Sequence, residues 1–292
     1  MLFNMKNFKR IVLFLIILII ISLIFLLIIL QPKNKNFSNN KIAVTIYPFY
    51  DITKEIVGNK FDVFLILPPG ADLHNFEPSP QDIIKLQNTK IIFSHGLIID
   101  NWINNLTQNL KETKIIYLYE VVNLIDEDPH FWLSLENMKK ISQKITEEII
   151  KLDPQNKDYY EKNLENILTK LNELLEYAQN SSKNFSSKYI ITQHNSFEYL
   201  AKELNLKIIG YLESSHKELT PNELKNLIDS IKKLNIKVIF KEPGEESIFL
   251  NNLAKEYNLK IYELDPIEGK SNLNYFDAYK KNIEILKEAL NF

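Results

Sequence analysis

Three histidines and one aspartate carry the metal chemistry open to this sequence. His74 in PPGADLHNFEPSP, His130 in DEDPHFWLS, His194 in ITQHNSFEYL and Asp265 in YELDPIEG stand at the ends of structural elements, outside apolar faces. Imidazole nitrogen and carboxylate oxygen are borderline and hard donors, a set suited to a divalent cation such as zinc. With 5 histidines and no cysteine in the chain, thiolate catalysis, iron–sulfur clusters and Cys-bound zinc are excluded. The four residues lie too far apart in sequence to form a local metal motif, so the argument rests on where they fall. In α/β sheets ligand groups collect at the carboxyl ends of strands, and His194 and Asp265 each close a strand directly. A lone loop histidine is ordinarily solvated or capping, and His95 and His216 are read that way.

The elements that must position these residues follow from pattern. A chain of 292 residues, 45% hydrophobic and 25% charged, is long and apolar enough for two modest domains with cores of their own, which excludes disorder, collagen-like repeats and a disulfide scaffold. Lys+Arg 35 against Asp+Glu 37 leaves no basic field, so nucleic acid is not an expected partner. Short β-branched runs alternate with segments of helical spacing, and the strand runs begin at Ile42, Phe61, Lys90, Lys114, Tyr189, Lys207, Lys237 and Lys260. They fall into two groups of four. Between the groups, Leu164, Ile167, Leu168, Leu171, Leu174 and Leu175 recur at three- and four-residue steps, which predicts one long helix. Ser79-Pro80 and Thr220-Pro221 mark two further helix starts. The stretch from Glu213 to Glu218 reads as a mobile surface loop.

Residues 11 to 30, IVLFLIILIIISLIFLLIIL, are interrupted only by Ser22 and as a helix would span about 30 Å, the thickness of a hydrocarbon core. Lys6, Lys9 and Arg10 precede the run, and no small-residue cleavage site follows, so an uncleaved anchor is expected. Lys33, Lys35 and Lys41 balance the other flank and leave the orientation open. The expected fold is α/β: two similar lobes, each a four-stranded mostly parallel sheet with flanking helices, joined by one long rigid connecting helix and preceded by an N-terminal transmembrane helix. The corresponding segments are 1–40 (membrane anchor or signal, and tether), 41–153, 154–184 (connecting helix) and 185–292.

The motifs PPGADLHNFEPSP, DPHFW, QHNSFEYLAKELNL and ELDPI resemble, in order, the four ligand sites of the metal-binding subunits of ABC importers for zinc or manganese, the cluster 9 solute-binding proteins. The resemblance runs from about Ile42 to the C-terminus. It implies an ion held between the lobes, by His74 and His130 from one and His194 and Asp265 from the other, in a protein that is not an enzyme. It further implies an extracytoplasmic, membrane-held protein that delivers the ion to an ABC permease. Family members for manganese usually carry glutamate at the third position, so His194 points to Zn2+, with Mn2+ the alternative cargo. Three neutral imidazoles and a carboxylate fill a tetrahedral shell, which suits storage and delivery better than catalysis. Two features depart from the family. Glu77-Pro78-Ser79-Pro80 leads straight into a helix where zinc members often carry a histidine-rich loop, and the family's usual lipoprotein or freely periplasmic form is replaced by an apolar segment.

Around the ligands, His95 and Glu242 are candidates for hydrogen-bonding support, Phe131 and Trp132 for an apolar wall, and Asp100 and Trp102 for a helix cap and a core aromatic. Two other readings remain open from the residues. A zinc hydrolase would use Glu242, Glu245 or Glu246 as general base, and a surface adhesin would hold a structural metal.

Overall fold

The computed structural model describes residues 14–22, 41–107, 110, 112–126, 128–214 and 217–291. By its internal contacts the chain divides into Met1–Phe37 and Ser38–Phe292. In the first unit residues 14–22 are helical, and their apolar side chains are exposed. Among the described residues no helix is long and apolar enough to cross a membrane, and the remainder of the expected span, 11–13 and 23–30, lies outside the described residues.

The second unit is α/β and built on two sheets. In the first, β1 (Lys41–Val44), β2 (Asp62–Leu65), β3 (Thr89–Ser94) and β4 (Lys114–Tyr117) lie in the order β2-β1-β3-β4, all parallel. Burial on both faces explains their near-continuous apolar composition: β3 exposes only Lys90. The helices α1 (Tyr47–Val57), α2 (Pro80–Lys85), α3 (Ile103–Thr107) and α4 (Leu135–Leu152) belong to this half. At the start of α2 a capping box forms, with the Ser79 N–H donating to the Asp82 carboxylate at 2.9 Å.

Next comes α5, Lys157–Lys183, a helix of 27 residues and so about 40 Å long. Its buried positions Tyr160, Ile167, Leu171, Leu174 and Ala178 form one stripe, and it packs against α4 and α1. The second sheet has the order β7-β6-β5-β8-β9, with β5 (Tyr189–His194), β6 (Lys207–Ser214), β8 (Val238–Lys241) and β9 (Lys260–Glu263) parallel. Its helices are α6 (Glu198–Glu203), α7 (Pro221–Lys233), α8 (Ile248–Tyr257) and α9 (Tyr275–Leu290). One difference from the sequence reading is β7 (Lys217–Glu218), which pairs antiparallel with the end of β6, Glu213 opposite Glu218. Two residues carry no period for a pattern argument, so the hairpin reads as a loop. His216 lies outside the described residues.

A single apolar cluster runs from Ile42 and Phe93 through Phe131, Trp132 and Leu171 to Ile190, Phe240 and Tyr279, and so belongs to both sheets. Directional bonds cross between the halves as well. The Glu203 carboxylate, from α6, accepts the N–H groups of Leu135 and Glu136 and the Ser134 hydroxyl, at 3.1, 3.1 and 2.8 Å. It caps the start of α4 from the other half. Trp132 Nε1 donates to the Pro266 carbonyl at 2.7 Å, and the Tyr275 hydroxyl to the Trp132 carbonyl at 2.7 Å.

Glu148, 2% exposed on α4, accepts from Lys114 of β4 at 2.6 Å and from Lys144 and Lys151 at 2.9 Å. Against the penalty of burial, these three ammonium groups pull its carboxyl down to about 2 from 4.5. A carboxyl more acidic when folded stabilises the protein above its unfolded value, and that stabilisation disappears as pH falls from about 5 toward 2. Glu148→Gln should therefore lose about 2 kcal/mol at neutral pH, discounted for the exposed lysines, and flatten the acid limb of chemical denaturation curves. Parallel acid limbs for the two proteins would contradict this role.

Candidate metal centre

The parallel sheets point the carboxyl ends of their strands at one region, where the loops after β2, β4, β5 and β9 meet. Two of these loops share a local device. In Asp72-Leu73-His74, the Asp72 Oδ1 accepts the His74 N–H at 2.9 Å and the Asn75 N–H at 3.3 Å, while buried Leu73 pins the loop to the core. In Asp128-Pro129-His130, Asp128 Oδ1 accepts the His130 N–H, also at 2.9 Å. The carboxylate two residues upstream fixes the backbone from which each imidazole projects.

Asp128 acts a second time. Its Oδ1 lies 2.7 Å from His130 Nδ1, which assigns that nitrogen the proton and leaves the Nε2 lone pair free to bind a cation. His130 is 1% exposed, and its Nε2 has no hydrogen-bond partner. An enclosed acceptor left in this way costs about 1–3 kcal/mol, which a bound cation would offset.

His194, the last residue of β5, enters from the second half. The ring centroids of His74, His130 and His194 are 5.6, 5.3 and 5.7 Å apart in the three pairings. One nitrogen from each ring lies within 4.8 Å of the others. Tetrahedral zinc asks for about 3.3 Å between nitrogens, a difference that rotations about the side-chain bonds close. Among the described residues this is the one group of three or more such donors brought so close.

Asp265 is not in that group. It is 7% exposed just beyond β9, where its Oδ1 accepts the Ile267 N–H at 2.7 Å and its backbone N–H and C=O are both taken by the Asn282 amide. The bond to Ile267 supports a strained turn, because Ile267, a β-branched residue, has φ +63°. Sequence reasoning missed the next residue. Glu268 is 7% exposed and, with His74 and His194, lines a cavity of about 220 Å³ that also meets Glu242 and Lys270. Burial, then repulsion from Glu242, pushes its carboxyl up to about 7, against the pull of His130 and Lys270.

The two supporting candidates take different partners. Glu242 accepts the Ser196 hydroxyl at 3.1 Å and faces the Lys270 ammonium at 3.8 Å; burial raises its pKa, with Lys270 opposing. His95 is fully buried, which corrects its reading as a solvated or capping residue. It stacks on Phe131 with centroids 4.3 Å apart, and its Nε2 lies 2.7 Å from the Pro129 carbonyl, so it braces the loop that carries His130. Burial lowers its pKa, against the attraction of Asp100. Asp100 does not cap a helix through its side chain. That carboxylate accepts the Ser94 hydroxyl and the N–H groups of His95 and Gly96, at 2.8, 2.8 and 2.7 Å. Gly96 is required there, since its φ is +77° and a Cβ would meet the Tyr119 ring at 2.2 Å. The missed Asp72 and Asp128 had a readable signal, an aspartate two residues before each histidine. Glu268 and Lys270 had none, because the importance of Glu268 comes from burial and that of Lys270 from the carboxylates around it.

Comparison with known proteins gives a consistent result. Residues 42–289 match the family model described as zinc-uptake complex component A, periplasmic. The chain is similar to the high-affinity zinc uptake system protein ZnuA of Bacillus subtilis, at 31% identity over 85% of this chain and 87% of that protein. It is similar to the manganese ABC transporter substrate-binding lipoprotein PsaA of Streptococcus anginosus at 30% identity, over 86% of this chain and 89% of that protein. Among solved structures, the laminin-binding protein of Streptococcus agalactiae, described as having adhesin and metal-transporting activity, superposes with a TM-score of 0.80. That match has 29% identity and covers 86% of this chain and 99% of the other.

The double use of Asp128 generates a test. Asp128→Ala should weaken zinc binding by about 10- to 100-fold in a competition titration against a chromophoric chelator, because His130 loses its fixed tautomer and orientation. Unchanged affinity would show that His130 does not depend on the carboxylate.

Proposed function

We propose a function from one premise: this chain belongs to the family of the periplasmic component A of zinc-uptake complexes. In this reading it is a binding protein, not an enzyme, which takes up a divalent metal ion as cargo outside the cytoplasm and delivers it to an ABC permease. The observation that carries the reading is the convergence of the His74, His130 and His194 nitrogens, with His130 Nε2 buried and unpartnered. Three neutral imidazoles favour zinc, with manganese as the alternative, since relatives named for each metal are almost equally similar to this chain. The hydrolase reading gains nothing from Glu242, whose carboxylate is engaged by Ser196 and faces Lys270.

The fourth donor comes from the turn Asp265–Glu268. Asp265 is the residue that the family resemblance assigns, but its Oδ1 supports the Ile267 backbone, whereas Glu268 lines the cavity shared with His74 and His194. Glu268 is therefore the favoured oxygen, with Asp265 holding the turn that presents it. The lobes 41–153 and 185–292, with 154–184 as a rigid connector between them, are the natural units of this reading. The crossing bonds of Glu203 and Trp132 support a cleft that loads without a large hinge motion. The apolar run 11–30 supports an N-terminal helical anchor, and these 292 residues contain no cysteine, whereas relatives such as PsaA of Streptococcus anginosus are named lipoproteins.

Purified protein should bind one zinc ion per chain, and alanine at His74, His130 or His194 should each weaken binding by at least about 100-fold in the chelator competition. Glu268→Gln should weaken it more than Asp265→Asn. Retention of wild-type affinity by any of the three histidine variants would overturn the ligand set.

A further inference from the structure

Beside His74 and His194, the 220 Å³ cavity is lined by four carboxylates, Asp72, Glu242, Glu245 and Glu268, and by one cation, Lys270. The Lys270 ammonium lies 2.9 Å from Glu245 Oε1 and 3.8 Å from Glu242 Oε2. Glu242 and Glu268 are each 7% exposed, so whatever negative charge the pair carries is little screened by water. Lys270 follows the strained Asp265–Gly269 turn, and its backbone approaches the loop of the first half that carries His74. A Cβ built on Gly70 would lie 3.9 Å from Lys270 Cα. The ammonium therefore occupies the carboxylate field that a divalent ion in the histidine cluster would feel.

We propose that Lys270 is an internal counter-cation that sets how tightly, and for how long, the cleft holds its divalent cargo. The inference rests on the metal-binding reading above and adds a residue that is not itself a ligand. A tethered positive charge beside the ion opposes it through the low-dielectric cavity, and it also neutralises Glu242 and Glu245, which would otherwise draw the ion more strongly. Both effects lower affinity and speed release. A carrier that must surrender its ion to a partner gains from this, since binding that is too tight slows transfer.

The test is a charge series at Lys270 in the full chain, with zinc affinity measured by chelator competition and release measured by a chelator chase. Lys270→Arg should stay near wild type, Lys270→Met should bind about tenfold tighter and release more slowly, and Lys270→Glu should go further in the same direction. A structural role alone predicts the opposite sign, because loss of the ion pairs would loosen the site. If wild type binds one zinc ion and Lys270→Met binds equally or more weakly, or Lys270→Arg matches Lys270→Met, this inference is wrong and the ligand assignment stands. If wild type binds no zinc, both fail together.

Discussion

An enclosed imidazole nitrogen without a hydrogen-bond partner is the constraint on which the site depends. Folding around His130 Nε2 costs free energy that the protein offsets elsewhere, and Asp128 makes the arrangement specific by engaging Nδ1. Much of the surroundings maintains that geometry. His95 braces the Pro129 carbonyl, Phe131 stacks on His95, and Asp100 clamps the turn from which His95 departs. A donor nitrogen held dry and correctly oriented before the ion arrives is pre-organised, so little of the binding free energy is lost to ordering it.

The same logic explains why the halves are bonded to each other. A site that takes His74 and His130 from one half and His194 from the other is only as well defined as the relation between the halves. Glu203 reaches across to cap α4, and Trp132, two residues past His130, is bonded to the turn that carries Asp265 and Glu268. Strain at Ile267 is tolerated within this frame, because the peptide leading into it is held at both ends, its N–H by the Asp265 carboxylate and the Pro266 carbonyl by the Trp132 indole. Lys270 follows directly, so one short turn carries both the carboxylate that would complete the shell and the cation that would weaken it.

How much of this is legible in the amino-acid sequence depends on the range of the interaction. The α/β alternation, the strand runs and α5 are local patterns of period two or 3.6, and they read directly. The order of strands within each sheet, and the hairpin of β6 with β7, are pairings between distant or very short segments and leave no such trace. His74, His130 and His194 are visible as scarce residue types at element ends. Asp72 and Asp128 were within reach through their spacing of two. His95 misleads because a histidine between serine and glycine looks solvated, whereas Phe131 and the Pro129 carbonyl, supplied from far along the chain, enclose it. Glu268 and Lys270 look like surface charges in a polar turn, and only their placement beside the histidines gives them a role.

Zinc-edge X-ray absorption on the loaded protein tests the central claim most directly, because it reports the atoms around the ion without reference to the fold. The account predicts three imidazole nitrogens at about 2.0–2.1 Å with an oxygen at a similar distance. A shell dominated by oxygen, with fewer than two imidazoles, would contradict it.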